Sequence, residues 1–230
     1  MKIIISFILF LLFIILGCSE PKKGVADFSH NNEILLLSPI TVISGESYPQ
    51  NLFVGTKSNT KKVGLYDSNQ NEILPMKYEE IFSGFMNPHY VVVVEARLQG
   101  LFDVLGRKVC ESRYSGFILS PSDPTIIGAY IGKEEKWRVI NDQGENVFLE
   151  DYSKIEFLQN DLVILQNQVQ KSCLASINGT FITQFEFDLL KGLDERRRKE
   201  KWYTENDIVA TAMKELQTIY INSVGNIVEK

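Results

Sequence analysis

The chain has 230 residues, 44% hydrophobic and 23% charged, an ordinary globular composition long enough for a sizeable core. A formal net charge of −5 and a pI near 5.2 argue against a nucleic-acid partner, which calls for a basic stripe. In chain order, the first feature is an apolar run, Ile3–Leu16, broken only by Ser6 and preceded by Lys2. A positive start with a short oily stretch is the pattern of an export signal, and the run is too short to span a bilayer comfortably. Residues 19–32, SEPKKGVADFSHNN, are polar and without period, which predicts a flexible tether.

Between these segments stands Ile15-Leu16-Gly17-Cys18. It resembles the lipobox of bacterial lipoproteins, with an aliphatic residue three before the cysteine and a small one next to it. The resemblance implies a signal peptide over 1–17 and a Cys18 that becomes the first residue, lipidated on its thiol and amine. Residues 18–32 would then be the lipidated N-terminus and tether. Burying acyl chain is worth about 0.8 kcal/mol per CH₂ and one chain holds only marginally, so two or more anchor stably. Within that family Ser19, in place of an aspartate, implies the default route to the outer membrane. The alternative is an uncleaved N-terminal anchor.

A phrase then repeats. Residues 63–81 read VGLYDSNQNEILPMKYEEI and residues 99–117 read QGLFDVLGRKVCESRYSGF, 36 residues later. With Gly64, Gly100, Arg138, Cys173 and Ile219 as position zero, position three is Asp67, Asp103, Asn141, Ser176 and Asn222. Position six is Gln70 and then Gly106, Gly144, Gly179 and Gly225; position nine is Ile73, Val109, Val147, Ile182 and Val228. Position fourteen is Tyr78, Tyr114, Tyr152 and Phe187, and position seventeen is Ile81, Phe117, Ile155 and Leu190. The steps are 36, 38, 35 and 46 residues, a period that signals stacked or radial units.

Each position has a physical reason. The β-branched and aromatic residues before position three are strand formers. Asp, Asn or Ser at three bonds nearby backbone and starts a turn, and the glycine at six supplies the positive φ that closes a hairpin. Gln70 adopts that conformation only at a cost, so Asn69 or Asn71 is expected to take it. The recurrent aromatic at fourteen predicts a core layer between neighbouring units. The expected fold is all-β, with tandem antiparallel β-meander repeats near 63–90, 99–131, 137–165, 172–191 and 218–230 of a repeat domain over 33–230. A propeller-like ring and an open β-solenoid both bury such units. Ile34–Ile43 and Leu52–Thr56 are expected to supply strands that the last copy lacks and to close a ring.

The stretches VGLYD, QGLFD, KWRVIND and LPMKY resemble the WG-type β-repeat of bacterial proteins, over about 63–190 and the tail from 218. Trp137 is followed by Arg138, whereas Gly64 and Gly100 follow Val63 and Gln99. The resemblance implies an interaction surface and brings no catalytic residue.

Two excursions interrupt the period. Ser120–Thr125, SPSDPT, reads as a proline-marked loop. The charged insertion 192–206, GLDERRRKEKWYTEN, reads as a short helix from near Asp194 or a protruding loop. Its Arg196, Arg197, Arg198, Trp202 and Tyr203 are the candidate binding residues, because cations beside exposed aromatics can grip anionic sugars or a protein. The competing expectation is a solvated charged excursion whose Trp202 tucks onto the sheet.

Little else points to chemistry. Cys110 and Cys173 fall in non-adjacent units and are expected to be buried thiols. His30 and His89 have no metal-ligand spacing. Asp67-x-Asn69-x-Asn71 opens like a calcium loop, but Glu72 stands where glycine is needed and Tyr78 where glutamate is needed. Asn178-Gly179-Thr180 matches a glycosylation acceptor, yet Asn-Gly is also a favoured turn pair. No nucleophile elbow or phosphate loop occurs. The expectation is a non-catalytic binding module of the bacterial envelope without cofactor or metal, whose partners are the membrane through lipid and envelope proteins or glycans. An envelope-polymer hydrolase and a purely structural envelope protein are the alternatives.

Overall fold

The structure, a computed structural model, describes residues 27–30, 33–39, 52–83 and 89–228. Cys18, residues 1–17 and most of the expected tether lie outside them. Among the described residues nineteen strands form five antiparallel sheets, each a simple meander in which sequence neighbours pair. Sheet 1 holds β1 (Asp27–His30), β2 (Glu33–Pro39), β3 (Phe53–Lys57), β4 (Val63–Tyr66) and β5 (Glu72–Tyr78). Sheet 2 holds β6 (Glu80–Ser83), β7 (Tyr90–Glu95), β8 (Leu98–Asp103) and β9 (Lys108–Tyr114). Sheet 3 holds β10 (Gly116–Leu119), β11 (Ile127–Ile131) and β12 (Lys136–Ile140), and sheet 4 holds β13 (Lys154–Phe157), β14 (Leu162–Gln166) and β15 (Ser172–Ser176). Sheet 5 holds β16 (Leu189–Gly192), β17 (Ile208–Lys214), β18 (Gln217–Asn222) and β19 (Ile227–Val228).

The arrangement is propeller-like, each sheet packing face to face on the next. Alternation along a strand therefore serves two seams. On β7, Val91 and Val93 face sheet 1 while Tyr90 and Val92 face sheet 3, so the strand reads as an unbroken apolar run. On β14, Val163 and Leu165 face sheet 3 while Leu162 and Ile164 face sheet 5. On β17, by contrast, Ala210 and Ala212 face sheet 4 while Thr211 and Met213 between and beyond them are only half-buried, and Ile208, across a register shift, packs under Tyr203. Four apolar clusters join sheets 1–2, 2–3, 3–4 and 4–5, and among the described residues none joins sheet 5 to sheet 1.

The repeated phrase is out of phase with the sheets. Position zero lies in the third strand of sheets 2–5 (β8, β12, β15, β18) and in the fourth of sheet 1 (β4), so each of the first four copies begins in one sheet and finishes in the next. The copies share one register. Position two pairs with position eight in all five, as Tyr66–Glu72, Phe102–Lys108, Ile140–Asn146, Ala175–Phe181 and Ile221–Ile227. The residue before position zero pairs with the aromatic at fourteen in the first four, as Val63–Tyr78, Gln99–Tyr114, Trp137–Tyr152 and Ser172–Phe187. In sheets 3 and 4 those isolated bridges are what remains of a fourth strand. Gly64 and Gly100 explain why sheets 1 and 2 keep theirs: a Cβ there would lie 2.9 Å from Leu74 O and from Ser112 N on the facing strand. Arg138 and Cys173 carry side chains at this point, and the facing segment loops away.

Three expectations are corrected. Asp27–His30 is a strand paired with β2, so these residues, His30 included, belong to the β body and not to the tether. Strands β2 and β3 pair within sheet 1, and sheet 5 completes its own four strands, so they do not close a ring by filling the last copy. Gln70 itself takes the left-handed conformation, φ 68°, in place of Asn69 or Asn71. The reason is that the Asp67 carboxylate receives the N–H groups of Asn69 and Asn71, both at 2.8 Å, which fixes the turn whatever stands at six. The copy can dispense with glycine because of where it sits. A Cβ on Gly106, Gly144 or Gly179 would strike the position-nine carbonyl of the preceding copy, at 2.8, 2.1 and 2.8 Å from the oxygens of Ile73, Val109 and Val147. Gln70 belongs to the first copy and its side chain is exposed.

Candidate functional site

In a meander, successive connections alternate between the two ends of the sheet. The first-to-second and third-to-fourth connections therefore emerge together, and the second-to-third ones emerge opposite. The opposite end is closed by short turns, among them Ala96-Arg97 and Glu215-Leu216, with both φ values positive in each pair. The near end carries the position-three turns together with the connections that vary most in length, 120–126, 158–161 and 193–207. One recurrent bond ties the two kinds of loop. The backbone N–H of position four donates to the varying loop, as Val104 to His89 O, Ile177 to Asp161 O and Ser223 to Asp207 O, at 3.1, 2.9 and 3.2 Å.

The insertion forms two short helical turns, α1 (Glu195–Arg198) and α2 (Lys201–Glu205). Asp194 caps the first, accepting the Arg197 N–H at 2.8 Å. The five candidate binding residues do not form one surface. Arg197 turns back toward Asp194 at 3.7 Å, Arg196 is exposed, and Arg198 lines a cavity. Tyr203 is 5% exposed and Trp202 half-buried; both rings pack on Tyr220, with centroids 5.8 and 5.0 Å away. Tyr220 points away from Ile219 and Ile221, which face sheet 4, so α2 covers the outer face of the last sheet. The aromatic pair thus covers β18, since an uncovered terminal sheet would leave Ile208 and Tyr220 in water, and of the five candidates Arg198 and Tyr203 meet in the lining of one cavity.

Among the described residues, two cavities stand out at the varying end. One, of about 440 Å³, lies where the loops of sheets 3, 4 and 5 meet. Pro121 comes from the first excursion, Asn160 from the β13–β14 turn, and Arg198, Tyr203 and Thr204 from the insertion. Ser122 Oγ accepts the Asp161 N–H at 3.2 Å and Glu156 Oε1 accepts the Gly192 N–H at 3.1 Å, fixing these loops to one another. The convergence of two interruptions far apart in sequence was not legible from either alone; the signal available was that both follow a first strand. The other cavity, of about 720 Å³, lies between the turns of sheets 2 and 3 and is lined by Tyr90, Asp103, Arg107 and Asp142 among others. Burial, with the carboxylates of Asp142, Asp123 and Asp103, pushes the Tyr90 phenol up to about 12.

Outside the cavities, Arg138 forks onto Asp151 at 2.6 and 2.7 Å. Cys110 and Cys173 are free and buried, as expected, and burial pushes their thiols up to about 11 and about 12. Among the described residues no group of His, Cys, Asp or Glu is placed to hold a metal ion. Asp67 takes the Asn71 side-chain amide as a further bond at 2.8 Å, a hairpin use of the residues that open like a calcium loop.

No family model matches the sequence, and no curated protein matches it. Among solved structures, the backbone is similar to Kluyveromyces marxianus Hsv2, 11% identical with a TM-score of 0.35 over 77% of this chain and 57% of that one. It is similar to KlHsv2 with a loop replaced by a Gly-Ser linker, 12% identical with a TM-score of 0.35; this chain, through 60% of its length, spans half of that one. It is also similar to hydrazine synthase of Kuenenia stuttgartiensis, 13% identical with a TM-score of 0.31 over 92% of this chain and 68% of that one. These likenesses assign no residue here.

Proposed function

We propose that the chain is a non-catalytic interaction module of the bacterial cell envelope, a lipoprotein with WG-type repeats, tethered through lipid on Cys18 and routed to the outer membrane. The observation that supports a binding role most directly is the inequality of the two ends. The interruptions of the repeat gather around cavities at one end, while short turns close the other. Binding residues concentrate on loops held by a rigid scaffold.

Two measurements test the reading. Cys18→Ala is expected to abolish palmitate labelling and membrane fractionation in the native host; labelling at wild-type level removes the anchor. Cross-linking in intact cells is expected to yield a partner lost in Arg198→Glu and retained in Lys136→Glu, whose site lies at the opposite end. Equal loss in both, or in neither, removes the varying end from the function. Point variants are used because deleting 192–206 would also remove the buried Leu193 and Tyr203.

A further inference from the structure

We infer that the cavity joining sheets 3, 4 and 5 takes a short peptide segment, one apolar side chain seated in its deeper part and its main chain held at the rim. The inference rests on the binding role proposed above and names the ligand class of that site. The volume, about 440 Å³, falls in the range of roughly 300–1,000 Å³ usual for ligand pockets. Within its lining Leu193 and Ile208 are buried and Val209 is half-buried, which makes the deeper part apolar. Its rim offers the carboxamides of Gln159 and Asn160, both exposed, and a carboxamide both donates and accepts, which matches a peptide unit. Arg198 lines the same rim, and among the described residues its guanidinium makes no ion pair, so it can meet a peptide carboxylate.

Two competing classes fit less well. Sugars are gripped by an open aromatic face; of the two aromatics in the lining, Tyr203 is only 5% exposed with its ring engaged by Trp202 and Tyr220, and Phe157 is half-buried against the apolar cluster of sheets 3 and 4. Polyanions are repelled, because Glu156 and Asp207 line the cavity with Arg198, two carboxylates against one guanidinium. The site is specific to this place in the fold. It needs Pro121 from one interruption of the repeat and Thr204 from the other, and Ser122 and Glu156 fix their spacing.

The test is a heptapeptide display library panned on the full processed chain, the best binder being labelled and titrated by fluorescence anisotropy. Thr204→Arg fills the rim from an exposed position and is expected to weaken that peptide at least tenfold, with Lys136→Gln unchanged. Gln159→Arg does the same from the β13–β14 turn, so the inference is judged on whichever variant keeps the wild-type melting curve. Peptide binding indifferent to a folded rim variant overturns it. Titration of uronic and N-acetylated oligosaccharides runs in parallel: rim-sensitive sugar binding without peptide binding overturns the inference and leaves the binding module standing. Absence of peptide, of sugar and of any cross-linked partner overturns both.

Discussion

The two ends of the stack are built from the same strands and behave differently. At the short-turn end, Ala96, Arg97, Glu215 and Leu216 hold left-handed φ values without glycine, and the Arg97 and Glu215 N–H groups donate to the Glu79 and Asp188 carboxylates. At the varying end, four of five turns place glycine at position six, because that residue rests on position nine of the preceding copy. The like-for-like turn at the short-turn end is 167–171, where Asn167 accepts the Val169 and Lys171 N–H groups and Gln170 holds φ 62°, so the same turn takes glycine where a neighbouring copy lies against it and dispenses with it where none does. Contact between copies decides it, and backbone conformation alone does not.

The sharpest way to break this comparison is Gly144→Ala. A Cβ there lies 2.1 Å from the Val109 oxygen at φ +78°, so a loss of about 3 kcal/mol is expected by urea unfolding. A loss below about 1 kcal/mol, the cost of the conformation alone, would show that the joint does not matter. Next is Asp103→Ala, which removes bonds from the Leu105 and Arg107 N–H groups at 2.9 and 2.8 Å and is expected to cost about 1 kcal/mol. Leu216→Gly, at the opposite end with 91% exposure and φ 66°, is expected to gain about 0.5 kcal/mol. Gln70→Gly should behave like Leu216→Gly and not like the other position-six sites; destabilisation by Gln70→Gly would mean that another part of the chain rests on that turn.

Acid should act at both ends. Asp67 at the varying end and Glu79 and Asp188 near the short turns have folded pKa values below their unfolded ones. Their contribution is therefore present above the unfolded value and lost as pH falls through the folded one, so melting temperature should decline on the acid side of about pH 4. A melting curve flat from pH 5 to pH 2 would contradict it. The smallest effect is chemical: at pH 8 iodoacetamide should label neither Cys110 nor Cys173 until denaturant is added, as read by intact mass.

Much of the architecture was legible because five positions per copy have separate physical reasons to recur. Tyr78, Tyr114, Tyr152 and Phe187 are all buried, as are Ile81, Phe117, Ile155 and Leu190. The phase was not legible: a phrase that starts in mid-sheet looks the same as one that starts a sheet. Strand β1 was hidden because Asp27-Phe28-Ser29-His30 has no strand pattern of its own and is ordered by pairing with β2. The candidate site was half legible. The charged run marked the place, but nothing in Trp202-Tyr203 distinguishes a contact surface from a lid over Tyr220, and that depends on which sheet comes last.

The phase offset has a mechanical corollary. A segment whose first half is woven into one sheet and whose second half is woven into the next acts as a stitch across the seam. Each seam is crossed by the chain in mid-copy and filled by an apolar cluster drawn from both sheets, so the row should come apart as a single fabric and not tile by tile.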